Sequence, residues 1–231
     1  MQAFHNDPAI KEFYLARVRA HQAADEIIHG QYWVGGKGCA VGCSVHSSDH
    51  KAYERELGIP RFIARLEDGI FERLRSPDDM LWPGQFLLSI SVGADLSMVW
   101  PQFAVLLLAD EKYGVLRHVQ QDKYRREKKA IERVVELYKQ WVASGIRPAA
   151  DAAADAADAA FAAAYAAYAA YAAAYAAAYA AYAAYAAYAA DAAAYAAAYA
   201  AAERDQETTR WQAQTLLRLL TEAPIPATIN L

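Results

Sequence analysis

Two rows of side chains in the first fifty residues are spaced to do chemistry. His21, Asp25 and His29 stand at i, i+4 and i+8, and on a helix they approximately share one face. Cys39, Cys43, His46 and His50 stand at i, i+4, i+7 and i+11, again one face if that stretch is helical. Two facing helices carrying these rows offer imidazole, thiolate and carboxylate, which suit Zn²⁺ or Fe²⁺. A bound ion of that kind acidifies water for hydrolysis. Each residue also has a plainer role: Cys-x3-Cys is not the zinc-knuckle spacing, cysteines among glycines serve as small core residues, and a helical histidine simply hydrogen-bonds. Nucleophilic chemistry at Cys39 or Cys43 would use His46 as base, but no third orienting group is apparent. The spacing therefore assigns no catalytic residue, and no cofactor beyond a zinc or iron ion enters the reading.

The glycines around the second row are dense, five in residues 30–42. Gly35-Gly36-Lys37-Gly38 lacks the GxxxxGK[ST] order of a phosphate loop and follows no clear strand. It reads as a flexible or tightly turned connection, and Lys37 and the glycine amides are the best anion-contact candidates if a ligand exists.

The elements that must position these residues are helical. Asp7-Pro8 opens a helix expected to run over 8–29, with Ile10, Phe13, Tyr14 and Val18 at helical spacing and Gly30 as the stop. After the glycine loop a second helix is expected from about 37 to 57, ended by Gly58-Ile59-Pro60. Pro60 opens a third, amphipathic through Phe62, Ile63, Leu66, Ile70, Phe71 and Leu74, followed by a turn at Ser76-Pro77-Asp78-Asp79. Residues 80–109 are the most apolar stretch of the front part and should supply core, with Trp82, Phe86, Trp100 and Phe103 as its large members. Pro83 and Pro101 are read there as helix openers, and a strand at 87–92 as the minority alternative. Residues 119–143 form an amphipathic helix with Ile131, Val134, Val135, Tyr138 and Trp141 on one side, and Arg125, Arg126, Lys128 and Lys129 as a solvated face at its start.

Residues 149–202 hold 39 alanines, ten tyrosines, four aspartates and Phe161. Alanine is the best helix former, so this segment reads as helix before packing is considered. Tyr165, Tyr168, Tyr171, Tyr175, Tyr179, Tyr182, Tyr185, Tyr188, Tyr195 and Tyr199 recur about every 3.5 residues, the heptad period that keeps a seam facing a partner helix. A run of three-residue steps up to Asp191 slips that seam, so a kink is expected near 188–191. A solitary Ala/Tyr rod would expose too much apolar surface, so the seam is the expected interaction surface. It pairs with another copy, folds back as a hairpin or packs on the front part. Trp211, Leu216, Leu217, Leu219 and Leu220 give residues 203–220 an anchoring face, and a prolyl tail follows.

The fold expected is all-α: a helical domain at 1–145, an Ala/Tyr-rich arm with a docked end at 146–222, and an extended tail at 223–231. The net charge of −4 hides a nearly neutral front part, with 20 basic and 19 acidic side chains in residues 1–148. No basic patch large enough to follow a phosphate backbone is visible, which argues against nucleic acid. Ten tyrosine hydroxyls argue against a membrane span. Two cysteines and a start lacking a basic, then apolar leader suit the cytoplasm.

Lys129-Ala130-Ile131-Glu132, then Trp141-Val142-Ala143, then Ala-rich helix, resembles bacterial and phage Ala-rich helical proteins of the immunity protein type. The resemblance covers roughly the C-terminal half and carries over no ligand or catalytic residue. It implies an all-helical intracellular protein that binds and neutralises another. The leading expectation is therefore a helical protein-interaction protein, in immunity or phage–host interference, joined to itself or to another protein. The alternative is a metal-dependent hydrolase with its site between the first two helices.

Overall fold

The computed structural model describes residues 1–119, 125–147 and 206–227. These are mostly helical with one two-stranded sheet, so the chain is all-α as expected. The Ala/Tyr segment, its tyrosine seam and the expected kink lie outside the described residues. No helix among the described residues is long and apolar enough to cross a membrane. The chain divides into two compact units, Met1–Trp100 with Gln212–Leu231, and Pro101–Trp211.

In the first unit, α1 (Pro8–Ala23) begins where Asp7 Oδ1 accepts the Ala9 N–H at 2.8 Å and Pro8 occupies the first turn. It stops at Ala23 rather than 29, because Asp25 takes a left-handed φ of 57° and the Glu26 N–H turns back to the His21 carbonyl. Strands β1 (Trp33–Val34) and β2 (Lys37–Gly38) then pair antiparallel, with Trp33 opposite Gly38. Gly35 and Gly36 form the tight turn at φ 61° and 88°, values that favour glycine. The expected loop is thus a hairpin.

The expected helix over 37–57 is not continuous. α2 (Ala40–Val45) ends at His46, whose φ of 52° is left-handed, and a π-helical turn at Tyr53–Leu57 follows only later. α3 (Arg61–Phe71) starts after Pro60 and buries Ile63, Leu66, Ile70 and Phe71, with Glu67 on the same face. α4 (Asp78–Ser89) begins ahead of Pro83, which lies inside it, and its helical end takes in residues of the minority strand. α1 packs on α2 and α4, and α3 packs on the same two helices. Phe4, Val18, Tyr53, Ile63, Phe71, Trp82 and Phe86 fill the space between them. The chain's end belongs to this unit: Arg73 Nη2 donates to Gln212 Oε1 at 3.1 Å, and the Asp95 N–H donates to the Pro224 carbonyl at 2.8 Å.

The second unit takes up α5 (Val99–Ala109) from Pro101, which sits in that helix's first turn, and buries Phe103, Ala104, Leu107 and Leu108. α6 (Arg125–Ser144) buries Ile131, Val134, Val135 and Tyr138, the face its periodicity predicts. Gly145, at φ 68°, closes α6 with an N–H bond to the Trp141 carbonyl. At the start of α7 (Gln206–Thr221), Glu207 accepts from Lys112 Nζ and the Tyr113 hydroxyl, and Tyr113 stacks on Trp211 at 4.9 Å.

One close approach organises the first unit. A Cβ added at Gly42 would lie 1.4 Å from the Tyr32 carbonyl oxygen, and one at Gly38 2.1 Å from the same atom. The obstacle is backbone and cannot swing aside. Gly42→Ala should therefore destabilise the protein by about 3 kcal/mol, the upper range for overpacking. Gly35→Ala meets no atom within 4 Å but must hold φ at 61°, which should cost about 1 kcal/mol. Urea denaturation of the two variants checks the order; equal effects would mean that the carbonyl seat is not a constraint.

Candidate functional site

The first unit brings the sequence-predicted residues into two groups rather than one cleft. His21 lies near the end of α1 and His46 just beyond α2, and their Nε2 atoms are 2.8 Å apart. Glu26, placed by the turn after α1, sets an Oε2 2.6 Å from His21 Nδ1. That carboxylate requires the Nδ1 proton, so a neutral His21 presents an acceptor Nε2 and His46 Nε2–H donates to it. Trp33 lies flat on the His46 ring, centroids 4.2 Å apart and planes 12° from parallel, and meets the edge of His21. Burial lowers the His46 pKa, and the charge of Arg17 lowers it further. Arg17 is held there by its bond to the Ser44 carbonyl at 2.9 Å.

The second group forms where the start of α2 faces α3. Ligand atoms of Cys39, Asp68 and Glu72 all lie within 4.8 Å of one another. Cys39 caps the start of α2, while Asp68 and Glu72 are one helical turn apart at the end of α3. Two histidines border them. His50 Nε2 is 3.5 Å from Asp68 Oδ2, and His29 bridges Glu72 and Asp79 at 3.6 and 2.9 Å. The rings are braced, His29 flat against Phe71 at 4.5 Å and His50 edge-on to Tyr32 at 5.3 Å. Both Glu72 oxygens accept the Gly30 N–H.

This group is rich in suppressed anions. Burial, with Asp68 next in effect, pushes the Cys39 thiol well up, and burial followed by Asp68 raises Glu72. Beneath them Glu67 is fully buried, and loss of water is the main cause holding its carboxyl far above the usual carboxylate range. The Tyr53 hydroxyl is close enough to perturb that carboxyl, yet the two are not aligned as a hydrogen bond. Asp68 Oδ1 and His50 Nε2 are also buried with no hydrogen-bond partner. Among the described residues the ion-pair partners of Asp68, Glu72 and Asp79 are imidazoles only.

The two helical rows expected from spacing are corrected by the backbone. Asp25 falls in the left-handed turn after α1, its side chain exposed, and so leaves the His21 and His29 row. His46 ends α2 in the same conformation, which separates Cys39 and Cys43 from His50. Cys43 faces inward, its Sγ donating to the Gly38 and Glu26 carbonyls at 3.3 and 3.7 Å. Its contacts are these carbonyls rather than His46, the base expected of a nucleophilic thiol. The carboxylates Glu26, Asp68, Glu72 and Asp79 were not singled out from the sequence. One signal was available: Glu67 interrupts the apolar face of α3 at i+4 from Ile63, and an acid on a buried face marks its neighbourhood.

Comparison with protein-family models, with curated proteins and with solved structures gives no match.

Burial pushes the Cys43 thiol up to about 12, with the charges of Glu26 and Glu67 adding to it. Its thiolate fraction near pH 8 is then on the order of 10⁻⁴. Iodoacetamide at that pH should leave Cys39 and Cys43 unmodified in the folded protein and alkylate both in guanidinium, as read by mass spectrometry. Rapid labelling of the folded chain would restore the nucleophile reading.

Proposed function

We propose that the first unit is a metal-dependent hydrolase whose divalent cation, of the zinc or iron class, is held by Cys39, Asp68 and Glu72. The observation that carries this reading is the convergence of those three ligand atoms within 4.8 Å of one another, in a group where Asp68 Oδ1 is buried with no hydrogen-bond partner. Burial and the nearby Asp68 raise the Cys39 thiol and the Glu72 carboxyl, and a cation bound between them would favour the deprotonated form of each. Three protein ligands leave a position for water, the pattern of catalytic rather than structural zinc sites. When bound, the ion supplies Lewis acidity and a water acidified towards neutral pH. The chain's own part is to orient its ligands and move protons. Gly30 fixes the Glu72 carboxylate, and His50 stands beside Asp68 as the imidazole placed to move a proton. The hydrolase alternative expected its site between the first two helices; the ligands proposed here lie instead between α2 and α3, and of the residues expected they include Cys39 alone.

Elemental mass spectrometry of tag-free protein should find zinc or iron on the wild-type chain and about one equivalent less per chain in Asp68→Asn. Hydrolysis of a nitrophenyl ester or phosphate should fall with the metal. A wild-type chain without either element, which takes up none on addition, would overturn the assignment.

A second reading is favoured by the tyrosine seam itself: a helical interaction protein, in immunity or phage–host interference, acting as a homo-oligomer or on another protein. The seam at Tyr165–Tyr199 and its heptad period support it. Light scattering should give at least a dimer mass, reduced to the monomer when Tyr171, Tyr175, Tyr179 and Tyr182 are replaced by alanine. A wild-type monomer that binds no other protein would remove the seam's role as an intermolecular contact.

A further inference from the structure

We propose that His21 and His46 form a second site, separate from Cys39–Asp68–Glu72, for a divalent transition metal that prefers nitrogen ligands in tetragonal geometry, with Cu²⁺ the strongest binder and Ni²⁺ next. The inference does not depend on the hydrolase reading.

Three features support it. The first is ligand type and spacing. Two Nε2 atoms face one another at 2.8 Å, and neighbouring ligands of a square-planar ion with bonds of about 2.0 Å stand about 2.8 Å apart, whereas a tetrahedral zinc site sets them about 3.3 Å apart. The second is the outer partner. Glu26 Oε2 at 2.6 Å holds the proton on His21 Nδ1 and so directs the Nε2 lone pair outward. Carboxylate support of this kind fixes the tautomer and raises the basicity of a metal-bound imidazole. The third is access: His46 is exposed beyond the end of α2, whereas the Cys39 and Cys43 thiols are buried.

Without an ion the facing nitrogens share a proton. Binding places the cation against both lone pairs, and the proton on His46 Nε2 moves to its Nδ1, so the neutral ring remains neutral. The rings must tilt from their head-on arrangement, in which the centroids are 5.0 Å apart. His21 is tied to Glu26, so the exposed His46 makes that movement and carries its contact with Trp33 along. Trp33 therefore reports occupancy, because a paramagnetic ion on the ring it stacks against quenches indole emission.

The test uses full-length Asp68→Asn protein, which removes an oxygen ligand of the other site, titrated with Cu²⁺. The result expected is one equivalent bound, a tetragonal electron paramagnetic resonance signal with coupling to two nitrogens, and loss of the emission that Trp33→Phe also removes. Glu26→Gln should weaken binding by about 10–100-fold. His46→Asn tolerates the left-handed backbone and should abolish both quenching and nitrogen coupling; His21→Gln provides the same test away from that strained position. Absence of Cu²⁺ binding, or quenching and coupling that survive both histidine variants, would overturn the proposal and leave the pair as a shared-proton contact. Loss of metal at Cys39–Asp68–Glu72 would not affect these readouts.

Discussion

The first unit depends on a carbonyl seated against two glycines. The Tyr32 oxygen occupies the space that a side chain at Gly38 or Gly42 would need, so the hairpin can lie directly on the start of α2. Around that contact the Cys39 N–H donates to the Gln31 carbonyl, the Gly38 N–H to Glu26, and the Ile28 N–H to Gly38. Buried backbone groups that lack partners are expensive, so these bonds hold the segment in one register. The placement of every candidate ligand follows. Cys39 is turned toward α3, Cys43 inward on the carbonyls of Gly38 and Glu26, and His46 is left at the far end of a helix too short to carry it past His21. Trp33, the residue after the seated carbonyl, is laid on the His46 ring.

Electrostatics then separates the two groups. Glu67, Asp68 and Glu72 gather at the end of α3 beside Cys39, and burial makes the charge of Glu67 and Glu72 costly. An ionised carboxylate taken out of water without a partner costs several kcal/mol, so Glu67, fully buried, is held in its neutral form. Asp68 and Glu72 are nearer to solvent than Glu67 and have imidazoles beside them. A divalent cation, as proposed, would add positive charge between these acids. The His21 and His46 pair has the opposite character. Its one carboxylate is committed to His21 Nδ1, Arg17 stands nearby, and the two facing Nε2 atoms share a proton between them.

Periodicity made the larger elements legible. Asp7-Pro8 marked the start of α1, the apolar spacing of α3 and α6 marked the faces they bury, and Trp82, Phe86, Trp100 and Phe103 are core as expected. What failed was the extension of helical spacing across residues that leave the helix. Asp25 and His46 both adopt left-handed backbone, which aspartate tolerates better than most residues, so nothing at either position announces the break in advance. The site itself was half legible. The histidines and Cys39 were named, but their partners are 29 residues away for Asp68 and Cys39, and 50 for Asp79 and His29, and contacts at that range are set by packing rather than by local spacing.

The same breaks that defeat the helical reading create both groups. A continuous helix from 37 to 57 would have spread Cys39, His46 and His50 along one face, with no reason for His46 to meet a ring on α1. Ending α2 at His46 returns the chain toward α1 at one end while Cys39 remains against α3 at the other. α2 is six residues long, about 9 Å at the helical rise. A short helix pinned by two glycines thus presents a thiol to carboxylates at its start and an imidazole to an imidazole at its end. Lengthening α2 would lose the second contact, and removing the glycine seat would shift both. The positions that locate the ligands are therefore Gly38 and Gly42, which carry no reactive side chain themselves.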